Sequence, residues 1–101
     1  MLESKLQAKC VKLAKKNKVL ARKIHAENNK GFPDLLLIFP ITGKTVYVEM
    51  KSPTGKGKLS KVQEREIERI RAQNASVFVC DSYSKFAYII TLNIAGLIQG
   101  V

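Results

Sequence analysis

The sequence predicts an α/β protein with a mixed central β-sheet flanked by helices, in the order α-β-β-β-α-β-β. Three observations lead there. Apolar residues recur at spacings of three and four over 2–17, and a capped run with an apolar side follows over 60–73, as in amphipathic helices. Between them, short β-rich runs are joined by a glycine-containing turn, as in a hairpin. Helices and strands then interleave along 101 residues, a length that makes one domain, 1–101, the expectation.

Each element follows from local pattern. Leu6, Cys10, Leu13 and Ala14 form the apolar stripe of the first helix. Lys5, Lys9, Lys12, Lys15 and Lys16 occupy much of its remaining surface, either as a solvated face or as one turned to phosphate. Asn17 and Lys18 are the expected stop. Val19 to His25 alternates as a short strand, and Ala26 to Gly31 is a polar loop. A second strand is expected over Asp34 to Phe39, a hairpin turn over Pro40 to Lys44 with Thr42-Gly43 at its centre, and a return strand over Thr45 to Lys51. Ser52 to Lys58 holds two glycines and a proline and is read as a basic loop. Ser60 with Gln63 fits an S-x-x-Q capping box that opens the second helix, with Leu59, Val62, Ile67 and Ile70 on its apolar side. Val77 to Cys80 and Phe86 to Ile90 are expected as the last two strands, with Leu92 to Ile98 as a short terminal helix.

Eighteen Lys and Arg against eight Asp and Glu give a formal charge of +10, so polyanions are the expected partners, nucleic acid first and an anionic membrane surface second. No apolar run approaches a membrane span, and the first residues, Leu2 to Leu6, lack the apolar core of a signal peptide; a cytoplasmic location is expected. Cys10 and Cys80 are far apart in sequence and read as reduced, buried thiols.

Against that basic background stand two carboxylates and a lysine at the adjoining ends of two strands: Asp34 after Pro33, then Glu49 and Lys51. Strand alternation puts Tyr47, Glu49 and Lys51 on one face, opposite Val46, Val48 and Met50. A hairpin centred on Thr42-Gly43 sets Asp34 opposite Lys51 and one diagonal step from Glu49, about 7–8 Å between backbones. Hard oxygen ligands of this kind suit Mg²⁺ or Mn²⁺ rather than zinc. A metal with an ammonium group beside it is a minimal phosphodiester hydrolase. The purely structural alternative makes Asp34 a turn acid and Glu49–Lys51 a same-face ion pair.

Gly31-Phe32-Pro33-Asp34, Glu49-Met50-Lys51 and Leu59-Ser60-Lys61-Val62-Gln63 together resemble the PD-(D/E)XK nuclease superfamily, and more closely its VRR-NUC (virus-type replication-repair nuclease) domains. The resemblance implies a restriction-endonuclease-like core. It implies that Asp34 and Glu49 bind metal, that Met50 lends its backbone carbonyl, that Lys51 is the catalytic lysine and that Gln63 helps position lysine, phosphate or water. It also matches Glu3 to an acid that can complete the metal site; its structural alternative is an acid favoured by the helix dipole. Gln63 likewise has the alternative of serving only as the capping-box partner of Ser60.

Lys23, Lys30, Lys56, Lys58, Lys61 and Arg65 flank the proposed site in sequence and are assigned to phosphate contacts, which position a substrate without reading it. His25 is read as the end of a strand at the surface, and Tyr47 as lining the cleft or packing under the second helix. The expected function is a metal-dependent, structure-selective DNA endonuclease, similar to a Holliday-junction resolvase of viral or repair type. The expected partner is branched DNA, and a homodimer is expected, with Leu92, Ile94, Leu97, Ile98 and Val101 as interface candidates or core. The alternatives are a non-catalytic basic nucleic-acid-binding module and a sequence-recognising restriction-type endonuclease; the short chain has few residues to spare for the latter.

Overall fold

The computed structural model describes residues 2–27, 30–54 and 58–99, the last five of these by backbone alone. Its elements run α1 (Glu3–Lys16), β1 (Leu20–Lys23), β2 (Leu35–Ile38), β3 (Thr45–Met50), α2 (Lys61–Ala72), β4 (Ser76–Cys80) and α3 (Tyr83–Gln99). The four strands form one sheet in the order β1-β2-β3-β4. The first two pairings are antiparallel and the third is parallel, so the sheet is mixed as expected. A parallel pair needs a crossover, and α2 supplies it between β3 and β4.

The pleat sorts the sheet into two faces. Leu35, Leu37, Val46, Val48, Met50 and Cys80 are buried in one core with Leu6, Cys10 and Ala14 of α1 and Phe86, Ile89 and Ile90 of α3. Each large aliphatic or aromatic side chain so placed contributes about 1.5–3 kcal/mol of burial. Tyr47 and Glu49 alternate onto the other face, where α2 packs against β4 with Ile67 buried. β1 is a short edge strand carrying Arg22 and Lys23, which discourages pairing with another chain.

Helix ends follow the sequence signals. α1 stops at Asn17, whose side chain bonds the Leu13 carbonyl, and Lys18 follows with φ 64°. Ser60 caps α2 through a complete capping box. On α2, Ile67 is buried but Val62, expected on the apolar side, is exposed.

Two expectations need correction. The fifth strand expected over Phe86 to Ile90 is the second turn and beyond of α3, so the order ends β-α and not β-β. Its buried residues Phe86, Ile89, Ile90 and Asn93 recur at helical spacing. Ser82 starts the helix by accepting the Lys85 N–H on its side chain, 3.1 Å. The terminal helix expected from Leu92 is the continuation of the same element. The hairpin register also differs: Leu35 pairs Val48 and Ile38 pairs Thr45. The turn centres between Ile41 and Thr42, because Ile41 adopts φ 73° and Gly43 φ 71°. The slip relative to expectation is two residues, which preserves the face of every side chain.

Of the interface candidates, Leu92 is exposed and Ile94 packs against the core. Leu97 and Ile98 are described by backbone only, and Val101 lies outside the described residues. No described helix is long and apolar enough to cross a membrane.

Candidate active site

Four consecutive residues build one wall of the site. Gly31 adopts φ 88°, and a Cβ there would meet the backbone of Val62 at 2.8 Å and of Gln63 at 2.9 Å. Only glycine lets the loop come this close to the first turn of α2. Phe32 stands edge-to-face on Tyr47, centroids 5.6 Å apart, which ties the loop to β3. Pro33 is fully buried, and Asp34 follows it at the mouth of β2.

Asp34 is held on both sides. Its carbonyl accepts the Ile24 N–H at 2.9 Å, and its Oδ1 accepts the Met50 N–H at 3.0 Å. Continued by one residue, the Leu35–Val48 register sets Asp34 opposite Glu49 rather than opposite Lys51. The two acids are therefore direct neighbours across the strand pair, closer than the diagonal placement expected.

Glu49 is buried, with 4% of its surface exposed. Its Oε2 accepts a hydrogen bond from Gln63 Nε2 at 3.0 Å and lies 3.6 Å from Lys51 Nζ. Lys51 Nζ donates to Gln63 Oε1 at 2.8 Å, and the Lys51 N–H donates to the Cys80 carbonyl at 2.8 Å. Gln63 thus bridges acid and lysine. Its Oε1 also accepts the Ser60 N–H at 2.9 Å, and its own N–H donates to Ser60 Oγ at 3.1 Å. The capping contacts and the turn toward Glu49 and Lys51, which the sequence left as alternatives, coexist in one side chain. Two donors converge on its oxygen and one carboxylate on its nitrogen, so the amide orientation is chemically determined.

The electrostatics are those of crowded acids. Burial first, and then the charge of Asp34, push Glu49 up to about 7; Lys51 works against both. Burial also raises Asp34, with the Met50 N–H opposing it. The negative charge of Glu3 raises both groups as a lesser influence, which puts the start of α1 on the same side. Glu3 itself is exposed. Among the described residues no three His, Cys, Asp or Glu side chains gather closely enough to hold a metal ion, so Asp34 and Glu49 stand as a pair.

That pair fits a hard divalent cation. Two adjacent carboxylates, both with their pKa raised by burial, are stabilised by any positive charge placed between them. The donors are oxygens, as Mg²⁺ and Mn²⁺ require.

Of the basic residues assigned to phosphate, Lys23, Lys30, Lys58, Lys61 and Arg65 are exposed, and Lys56 lies outside the described residues. His25 is exposed and lines an open groove of about 520 Å³ with Ile24, Lys30 and Gly31. Two contacts were not legible in the sequence, the Met50 N–H on Asp34 and the Cys80 carbonyl on Lys51. Both depend on strand register, which no local motif reveals.

A mixed sheet bearing Asp34 at the end of one strand and Glu49-Met50-Lys51 at the end of the next, closed by a helix that presents Gln63, is the architecture of the PD-(D/E)XK nuclease superfamily. Within it, the VRR-NUC domain family matches residues 2–84, and the chain belongs to that family. A solved structure described as a VRR-NUC domain is 32% identical, with a TM-score of 0.78 over 88% of this chain and 94% of the other. No curated protein matches significantly. The family is of nuclease type, which makes DNA the implied substrate.

Proposed function

We propose that the chain is a metal-dependent, structure-selective DNA endonuclease that hydrolyses phosphodiester bonds, resembling a Holliday-junction resolvase and acting as a single domain over 1–101. The observation that carries this reading is the Lys51–Gln63–Glu49 network: Nζ at 2.8 Å from Gln63 Oε1 and 3.6 Å from Glu49 Oε2, with Asp34 opposite Glu49. A structural ion pair has no need of a second acid pressed against the first.

In this reading Asp34, Glu49 and the Met50 carbonyl would hold Mg²⁺ or Mn²⁺, with Glu3 as a further acid at the rim. The ion, when bound, supplies Lewis-acid polarisation of phosphate and lowers the pKa of water. Lys51 offers its ammonium to the negative charge that develops on the phosphoryl oxygens, and orients the attacking water. Gln63 fixes the lysine, so no reorganisation is needed as that charge grows. Because Gln63 is itself pinned by the Ser60 N–H, the start of α2 acts as a rigid mount. Lys23, Lys30, Lys58, Lys61 and Arg65, and Lys56 with them, are assigned to the phosphate backbone, where contacts set position and not sequence. A two-fold homodimer would present two such sites symmetrically to a four-way junction.

The test compares cleavage of a labelled four-way junction with linear duplex of the same sequence, in Mg²⁺, Mn²⁺ or EDTA. Preferential, metal-dependent cutting of the junction is the expected result. Equal cutting of both removes the structure selectivity and leaves the nuclease chemistry. Tight binding with no cutting of either favours a binding module.

A further inference from the structure

Lys5, Lys9, Lys12 and Lys16 succeed one another on α1 at steps of four, three and four. At 3.6 residues per turn they fall within an arc of about 60° and run along about 16 Å of helix. All four are exposed, and none forms an ion pair with a described acid. The helix faces the core with Leu6, Cys10 and Ala14, so this stripe is a separate flank. Along it lies a shallow groove of about 350 Å³ lined by Lys9, Lys12, Leu13, Lys16 and Tyr83. Tyr83, at the start of α3, is exposed, and Lys9 Nζ stands 5.2 Å from its ring centroid. That contact steers one lysine over the groove.

Four unpaired cations in a row repel one another, and nothing in the core requires them. A polyanion relieves that repulsion. Each strand of a duplex carries one charge per roughly 3.4 Å of helix axis, and because the strand winds around that axis a straight row of this length meets only a few phosphates of it, enough for several lysine contacts. An anionic membrane is the weaker partner, because the apolar residues that would enter lipid are already buried in the core.

We infer that the Lys5–Lys9–Lys12–Lys16 stripe with Tyr83 is a second DNA-backbone contact surface, separate from the basic residues around Asp34 and Glu49, which grips a duplex segment away from the bond to be cut. The inference rests on the nuclease reading for the identity of the polyanion, but its test does not use cleavage.

The experiment measures duplex binding in EDTA as a function of salt for the full chain, for Lys9→Gln/Lys12→Gln, and for Lys15→Gln/Lys44→Gln, which removes the same charge off the stripe. Each lost phosphate contact lowers the slope of log affinity against log salt by about 0.9, so the stripe variant should lose about 1.8 and the control almost nothing. Equal slopes for the two variants overturn the proposal and leave only a general charge effect. So does a stripe variant that binds DNA like the parent but loses binding to phosphatidylserine vesicles, which would assign the stripe to membrane. A protein that shows the slope change but never cuts DNA keeps the stripe and loses the nuclease reading; one that cuts DNA with no slope change does the reverse.

Discussion

Gly31 and Gly43 offer a paired perturbation that isolates packing from backbone strain. Both have positive φ, 88° and 71°. A Cβ at Gly43 meets nothing within 4 Å, whereas at Gly31 it meets the Val62 carbonyl carbon and oxygen at 2.8 Å and the Gln63 nitrogen at 2.9 Å. Gly43→Ala therefore carries only the cost of placing an L-residue in the left-handed region, roughly 1–2 kcal/mol. Gly31→Ala carries that cost and about 1–3 kcal/mol more for forcing loop and helix apart, since both neighbours are backbone and cannot rotate away. Urea denaturation at unchanged m-value reads the difference. The displaced atoms belong to Val62 and to Gln63, the residue that holds Lys51, so Gly31→Ala should also slow DNA cleavage while Gly43→Ala leaves it near the parent rate. Equal destabilisation by the two substitutions, or full cleavage activity in Gly31→Ala, would refute the claim that Gly31 sets the site by close approach.

Two further outcomes follow from the site's bonds and charges. Glu49 binds its proton more tightly in the folded chain, at about 7 against 4.5 for the free side chain, so folding takes up a proton between those values and stability falls as pH rises through them. A shift of that size corresponds to roughly 3 kcal/mol, so in EDTA Glu49→Gln should melt higher than the parent at pH 8 and match it near pH 4.5; parallel pH–Tm curves would contradict this. Ser60→Ala removes one half of the capping box and should cost about 1 kcal/mol with little loss of cleavage, whereas Gln63→Leu also frees Lys51 and should abolish most cleavage; similar rates for the two variants would confine Gln63 to the helix cap.

The site was more legible in the sequence than the last third of the fold. Asp34, Glu49, Lys51 and Gln63 lie next to strong local signals: a Pro-Asp strand entry, period-two alternation and an S-x-x-Q cap. A misjudged turn moved the register by two residues, and alternation protected the geometry, since an even slip leaves each side chain on its face. The stretch Phe86–Ile90 had no such protection. Five apolar residues suit a buried strand or a buried helix equally, and length and cap must decide. The deciding signals were Ser82 and the apolar positions continuing at helical spacing to Ile94. Gln63 shows the opposite case: the cap contact to Ser60 and the contacts to Glu49 and Lys51 are made by one side chain, because an amide has an oxygen and a nitrogen to share between them.

The most direct test of the central claim is single-turnover cleavage of branched DNA by the parent, Glu49→Gln and Lys51→Met, with Mg²⁺ or Mn²⁺ and with EDTA, beside DNA binding measured in EDTA. The account predicts cutting by the parent only with metal, and variants that still bind DNA but cut it at least about 100-fold more slowly. Cutting in EDTA, or variants that bind and cut at the parent rate, would contradict it.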